Sequence, residues 1–412
     1  MGSIGSQSAP RVALERTASA IVSARRATLA DRYAINSFAV EWRWLADLIP
    51  VTDAWRDLAS RALESNVFYE PGFALAAAAL FGRNAGAVLV WSGGERRKLL
   101  GFIPAYVDER RYGFKLPVLV GWTHRYGPLG TPLVERDAAE PVIAAWLAHV
   151  AANPALPGLL LLPLLAEDGP FATTLARIVR RAQMPSADFD RHRRALLEPG
   201  EHRTDYLEYA LSTHRQGELR RTGRRLADLG ALLFTTTMEP SAIAAEIEDF
   251  LAIEASGWKG RAGTAVADHD EIRSFFKAAV AALAAEGKVQ LNRLLLDGRA
   301  IAVAVTLRSG EQAWFWKTTY DETFARYAPG MLLTGALTEQ LAENAAVSRT
   351  DSCAAAGNAT LNPIWRERLA LCDRLIAVRP GAPFALGLRL ERARRGVLAA
   401  AKTLRERWRR RR

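Results

Sequence analysis

The residues with the clearest chemical potential lie between Ser241 and Leu333. A helix over Ser241–Ala255 puts Ile243, Ile247 and Phe250 within about 60° of one another, with Glu254 inside the same stripe. A carboxylate drawn onto an apolar face has a raised pKa, which suits a general base near neutral pH. One turn from a helix end, it can equally reach solvent or cap a loop. Gly257-Trp258-Lys259-Gly260 and Gly263-Thr264-Ala265 follow. These glycines build a tight loop in which Lys259 can hold a carboxylate or phosphate and Trp258 can wall a pocket, unless the segment is only a helix-ending turn.

The run Ala313–Thr319 alternates Trp314, Trp316 and Thr318 with Phe315, Lys317 and Thr319, as a strand does. Lys317 either covers an aromatic face with its stem or sits at a polar cleft. Tyr320 and Asp321 stand at the strand end, where ligand-facing groups gather in α/β sheets. Arg326-Tyr327-Ala328-Pro329-Gly330 then turns the chain into a helix from Met331 and Leu332 to about Glu343. Free N–H groups at a helix start suit a pyrophosphate or an anionic oxygen, although a plain connector would look the same. The segment is neither a P-loop nor a G-x-G-x-x-G fingerprint. Asp351-Ser352-Cys353 falls in another expected strand, and Cys353, with no histidine near it in sequence, reads as a small buried thiol. The six histidines have no metal-ligand spacing, so no metal site is expected.

The elements that must position these groups form two similar series. In the first half, the sequence predicts a helix around Trp55–Leu63, a turn at Asn66–Phe73 and an Ala/Leu-rich helix to Phe81. Strands follow at Ala87–Trp91, Leu99–Val107 and Val118–Val120, then an irregular Arg125–Gly130. A helix at Glu140–Ala151, a strand at Leu159–Leu162 and a helix at Phe171–Ala182 close the half. Asp205–Leu229 is helical and basic, ended by Gly230. In the second half, Ser241 caps the first helix, and Asp268 or Asp270 caps another that ends at Gly287. Lys288–Leu296, an Asp297-Gly298 turn and a return strand form a hairpin, with Ile301, Val303, Val305 and Leu307 on one face. After the Met331 helix come a strand at Thr350–Ala355, a helix at Pro363–Leu371 and a strand at Arg374–Val378. Both halves carry an R-Y-x-P turn, Arg125–Pro128 and Arg326–Pro329, and the shared order points to an internal duplication.

Composition sets the outer limits. The 412 residues are half hydrophobic and a quarter charged, as in a globular chain of two or three domains. Two cysteines exclude a disulfide scaffold, and no apolar run approaches the ~20 residues of a membrane span. The net charge is +11, yet residues 389–412 supply +9 of it. Leu390, Val397, Ala401, Leu404 and Trp408 recur there at helical spacing, so the tail reads as a basic amphipathic helix suited to an anionic membrane, or as a frayed terminus. Residues 1–35 read as a disordered leader. Met1–Ser6 fits a loose myristoylation pattern that the bacterial-looking composition disfavours.

Glu254, Trp258-Lys259-Gly260, Gly263-Thr264-Ala265, the Asp297-Gly298 hairpin, Trp316-Lys317, Tyr320-Asp321 and Tyr327–Gly330, in this order, resemble the C-terminal half of the CelD/BioF2-like acetyltransferases. These belong to the GNAT superfamily and are related to FemAB-type transferases. Asn66, Phe68, Pro71-Gly72-Phe73, Gly101–Pro104 and Gly127–Leu133 extend the resemblance to the first half, so that it covers about residues 40–380. It implies an α/β (α+β) protein of tandem GNAT-like folds, each a mixed twisted sheet flanked by helices. The implied divisions are 36–200, a basic helical connector at 201–230, an acyl-donor domain at 231–380, and a basic tail at 381–412.

The resemblance further implies direct transfer of an acyl group, acetyl first, from coenzyme A to an amine or hydroxyl of a small molecule or of an envelope or polysaccharide precursor in the cytoplasm. Glu254 is then the base, with Lys317, Tyr320 and Tyr327 as further catalytic candidates and Tyr320 or Tyr327 as a possible acid. Arg326, Pro329, Gly330, Met331 and Leu332 would hold the donor, and Trp258, Lys259, Trp316, Asp321 and Asp351 the acceptor. The donor turn departs from the superfamily's Arg/Gln-x-x-Gly-x-Gly/Ala by a shifted glycine and by a proline that removes one N–H. An acyl-carrier protein or aminoacyl-tRNA is therefore an alternative donor. The rival reading is a non-catalytic binding or regulatory protein whose tail meets anionic membrane or nucleic acid, nucleic acid being the less expected partner. The N-terminal copy, lacking a counterpart of Glu254 and Trp258-Lys259, is expected to be inactive.

Overall fold

The computed structural model describes residues 37–94 and 97–410; the leader and its myristoylation pattern lie outside the described residues. Within them, thirteen strands form one sheet. The first half contributes β1 (Phe38–Trp44), β2 (Ala85–Ser92), β3 (Leu99–Asp108), β4 (Val118–Gly121), the short β5 (Leu133–Val134), β6 (Leu159–Ala166) and β7 (Ser186–Leu197). The second contributes β8 (Leu232–Thr237), β9 (Val289–Leu296), β10 (Arg299–Ser309), β11 (Gln312–Tyr320), β12 (Arg349–Asp351) and β13 (Glu367–Ala377).

Across the sheet the order is β1-β2-β3-β4-β6-β13-β7-β12-β11-β10-β9-β8, with β5 on β3. Read from either edge, four antiparallel strands lead to a parallel pair, β4 with β6 and β11 with β12. In each half, two long helices lie between the first strand and the second: Thr52–Arg61 and Pro71–Phe81, then Pro240–Ser256 and Asp270–Ala285, with the one-turn helix Trp258–Arg261 between the latter two. The duplication is therefore built into the topology, and the halves exchange their last strands. β7 pairs with β12 of the second half, β13 pairs with β6 of the first, and the two meet in the centre.

The matching second helices also pack on each other. A Cβ on Gly72 would stand 3.3 Å from Leu283 and 3.4 Å from Ala282, so glycine allows the close approach. Phe73 meets Phe275 and Trp316 edge-on. One apolar core thus runs through both halves, from Trp55, Phe68 and Phe102 to Phe250, Phe276 and Trp314.

Several local expectations need correction. Pro363–Leu371 is not a helix: a turn ends near Trp365, and Glu367–Ala377 is one long central strand, because Leu371, Leu375 and Ile376 complete cores on both faces of the sheet. The strand expected at Thr350–Ala355 stops at Asp351, where Cys353 takes a left-handed φ of 52°. Glu239, not Ser241, caps its helix, accepting from the Ala242 N–H at 2.7 Å. The Asp297-Gly298 turn forms with both φ positive, 48° and 80°. A register shift between Ala300 and Ala302 puts Ile301 in a different core from Val303, Val305 and Leu307.

Candidate active site

The site begins where β11 and β12 part. Their parallel pairing ends at Trp314 with Asp351, while β11 runs on to Tyr320 without a strand partner on that edge. A second irregularity lies on the other edge of β11. Its register against β10 passes from Phe315 opposite Thr306 to Lys317 opposite Val305, so Trp316 is bulged out. A bulge disturbs the alternation of side chains. Consequently Lys317 does not oppose Trp316, as strict alternation predicts. The Trp316 indole donates to the Tyr126 carbonyl at 2.8 Å, and the Lys317 ammonium stands 4.3 Å from the centre of the Tyr126 ring.

Burial pushes the Lys317 ammonium down from 10.5 to about 8, and the nearby Lys259 charge acts in the same direction. Glu254 opposes it. Glu254 itself is buried on the inner face of the Pro240–Ser256 helix, as its place in the stripe predicts. Its oxygens are engaged: Lys259 donates to Oε1 at 2.6 Å, and the Val266 N–H to Oε2 at 2.8 Å. Carboxylate and loop therefore form one unit, with Lys259 half-buried. Trp258 is exposed beside it, its N–H on Glu322 at 2.7 Å.

The first half closes this cluster with its own turn. Arg125 lies 5.0 Å from the Tyr126 ring, and burial raises the Tyr126 hydroxyl's pKa. His124, stacked at 4.4 Å on Phe81, is pushed down to about 3 by burial, so it is neutral at physiological pH. The turn is tied to the second half through Arg194 of β7, which donates to the Pro128 carbonyl at 2.9 Å and pairs with Asp351. The other Asp351 oxygen accepts from the Cys353 N–H at 3.0 Å. Burial raises the Cys353 thiol, as for an inert cysteine.

The helix Pro329–Glu343 starts just beyond the open end of β11. Ala328 holds a left-handed φ of 46°, uncommon for a residue with a Cβ, and its carbonyl accepts from Met331 and Leu332. Pro329 occupies the first helical position, and a Cβ on Gly330 would stand 3.1 Å from the Tyr320 ring. Arg326 is exposed and stacks at 4.7 Å on Tyr327, which is buried and also faces Arg225 at 5.9 Å. Arg225 belongs to the basic helix Thr213–Ala227, which lies along the turn. A groove of about 280 Å³ between them is lined by Leu211, Leu219, Met331 and Ile364, with Arg215 among its polar groups.

The predicted residues therefore separate. Glu254, Lys259, Lys317 and Trp316 gather around Tyr126. Tyr320, Arg326, Pro329, Gly330, Met331 and Leu332 form the turn and helix start. Asp321 is committed to structure, accepting from the Thr323 N–H at 3.0 Å and pairing with Arg299. Asp351 is held by Arg194. Arg125, Tyr126 and Arg194 are the contributors sequence reasoning missed; the R-Y-x-P turn was the available signal, read there only as a repeat. Glu167, Asp188 and Cys372 bring ligand-type atoms together elsewhere, but Arg191 and Arg374 already pair with those carboxylates.

Residues 213–358 match the acetyltransferase (GNAT) domain family. The chain carries a GNAT acyltransferase domain. That stretch runs from the basic helix through the splay and the Ala328 turn to the loop after β12. No curated protein matches the chain in sequence. Solved structures agree in fold at low identity. The C-terminal domain (DUF2156) of a protein assigned as a lysylphosphatidylglycerol synthetase from Agrobacterium fabrum is similar at 13% identity and a TM-score of 0.52, covering 82% of this chain and 94% of that one. FemX is similar at 8% identity and a TM-score of 0.53, covering 79% and 95%. These likenesses concern the fold alone; it is the repeated strand order that gives the GNAT-type fold of the second half its counterpart in the first. Among the described residues, no helix is long and apolar enough to cross a membrane.

Proposed function

We propose that this acyltransferase moves an acyl group, acetyl in the simplest case, directly from coenzyme A to an amine or hydroxyl held between the halves. The observation that carries the reading is the splay of β11 from β12, with an ammonium of lowered pKa on one side and a helix start at its mouth. The thioester would lie along the unpaired edge of β11, whose main-chain groups can polarise its carbonyl. Because the Ala328 carbonyl already takes the Met331 and Leu332 N–H groups, the donor's phosphates would rest chiefly on the arginines of the Thr213–Ala227 helix beside the helix start. This basic wall compensates for the N–H that Pro329 lacks and supports a phosphate-bearing donor.

In the acceptor site, neutral Lys317 takes the proton as nitrogen or oxygen attacks the thioester carbonyl. The tetrahedral intermediate then expels the coenzyme A thiolate, which Tyr320 at the strand end can protonate. Glu254 acts differently from a free base: it fixes Lys259, whose charge helps keep Lys317 deprotonatable. Residues 231–380, together with the basic helix that precedes them, would bind the donor, while the first half supplies Arg125 and Tyr126 to the acceptor side. The acceptor would be a small molecule or a precursor of envelope polysaccharide in the cytoplasm, as the CelD/BioF2 resemblance implies.

Calorimetry with acetyl-CoA and longer acyl-CoAs tests the donor. Binding of at least one of them is expected, and binding of none overturns the coenzyme A reading.

A further inference from the structure

The helix Phe384–Arg410 is fastened to the body along one side. Glu391 is fully buried and accepts from Arg111 at 2.8 and 2.9 Å and from Arg395 at 2.7 Å. Arg395 also reaches Asp373 at 2.8 Å and lies 4.9 Å from the Phe189 ring. Phe384 and Leu388 pack against the core around Val120 and Leu159. These contacts define the face turned to the protein.

The apolar residues do not lie on that face. At the rotation of an α-helix, Leu386, Leu390, Val397 and Leu404 fall within an arc of about 40°, and Glu391 and Arg395 lie about 120–160° from its centre. The stripe therefore points away from the body: Leu386, Val397 and Leu404 are 45%, 69% and 65% exposed. By the same rotation, Arg389 and Arg407 border it on one side and Arg394 and Arg405 on the other. From Gly396 onward every side chain described is exposed, and nothing lies within 4 Å of where a Cβ on Gly396 would stand. The stretch to Arg410 extends about 22 Å, a length at which a helix in water is marginal by itself.

We propose that this helix lies flat on an anionic lipid surface, with Leu386, Leu390, Val397 and Leu404 sunk at the headgroup–acyl boundary and the flanking arginines on lipid phosphates. An apolar stripe bordered by cations on both sides matches such an interface, because long basic side chains reach outward while their stems stay in the apolar layer. A second copy of the chain is the poorer occupant, since pairing two stripes sets arginine rows against each other. The inference is independent of the acyl-transfer reading.

Co-sedimentation of the full chain with phosphatidylcholine vesicles, with and without phosphatidylglycerol, tests it. Binding is expected only with phosphatidylglycerol and should weaken with added salt. The double variant Val397→Glu/Leu404→Glu should bind at least about tenfold more weakly. Both positions are solvent-exposed, so its thermal melt and its acyl transfer to a soluble acceptor should match the unmodified chain. Absence of binding, equal binding to both vesicles, or binding indifferent to the double variant overturns the proposal. So does light scattering that finds a dimer which the double variant dissolves, because the stripe's occupant is then another copy.

Discussion

Replacing Lys317 by methionine should remove activity and raise stability together. Methionine keeps the length of the stem and its contact with the Tyr126 ring, but it has no proton to give or take. The folded protein lowers the Lys317 pKa from 10.5 to about 8. At about 1.36 kcal/mol per pKa unit, holding the charged form at pH 7 costs up to about 3 kcal/mol, an upper figure because water still reaches part of the side chain. The sign follows from proton counting. Between pH 8 and 10.5 the unfolded chain binds more protons at this site than the folded one, so stability of the unmodified protein rises with pH through that window. Lys317→Met should therefore be more stable by about 2–3 kcal/mol at pH 7, with the advantage shrinking to nothing near pH 10.5. Urea unfolding of both proteins at pH 7, 8.5 and 10 measures it.

In activity, kcat/KM of the unmodified enzyme should rise toward a plateau above an apparent pKa near 8. The variant should lose that inflection and about 10²–10⁴ in rate. Two results would refute the reasoning: a variant that keeps the inflection, or one whose stability difference does not change with pH.

Glu254→Gln keeps an acceptor for the Val266 N–H but leaves Lys259 without its carboxylate. Turnover should fall at least about tenfold, with donor affinity by calorimetry nearly unchanged; unchanged turnover would take Glu254 out of the mechanism. Arg194→Met strands Asp351 in a buried place and drops the tie to the Pro128 carbonyl, so unfolding should become easier by about 3–5 kcal/mol. Adding Asp351→Asn to that variant should recover part of the loss, as urea midpoints would reveal. Gly330→Ala brings a methyl to 3.1 Å from the Tyr320 ring. It should raise KM for the acyl donor several-fold while the melting temperature shifts by only a few degrees.

Much of this arrangement was legible in the sequence because it depends on local rules. The Glu254 stripe, the Asp297-Gly298 hairpin and the strand–turn–helix around Ala328 each follow from periodicity or turn chemistry. What could not be read depends on distant partners. β7 carries Asp188, Arg191, Arg193 and Arg194 and has the composition of a surface loop, yet it lies in the centre of the sheet. Its charges are accommodated by groups far away in sequence, Arg194 by Asp351 and Asp188 by Arg374. Edge strand β8, with three threonines, shows too little alternation to stand out from a connector. The bulge at Trp316 is also invisible, because two aromatic residues and a lysine alternate equally well with or without it. That bulge nonetheless decides which side of the sheet Lys317 serves.

The exchange of β7 and β13 bears on how the site can work. Each parallel pair is bordered by the last strand of the other half, so the halves are joined by continuous backbone hydrogen bonding rather than by a hinge. Separating them would break the pairing of β13 with β6 and of β7 with β12. It would also strip Arg194 and Asp351 of each other and open the core shared by Phe73, Phe275 and Trp316. A cleft framed in this way does not gape to admit its ligands. On the proposed reading, the donor would enter past the Ala328 turn and the acceptor past Arg125 and Trp258. The rigid frame then does what catalysis of acyl transfer most needs, holding the attacking atom, the carbonyl and the proton acceptor in one geometry. The first half, though it lacks a counterpart of Glu254 and Lys259, is in this view the fixed wall that positions Tyr126 against Lys317.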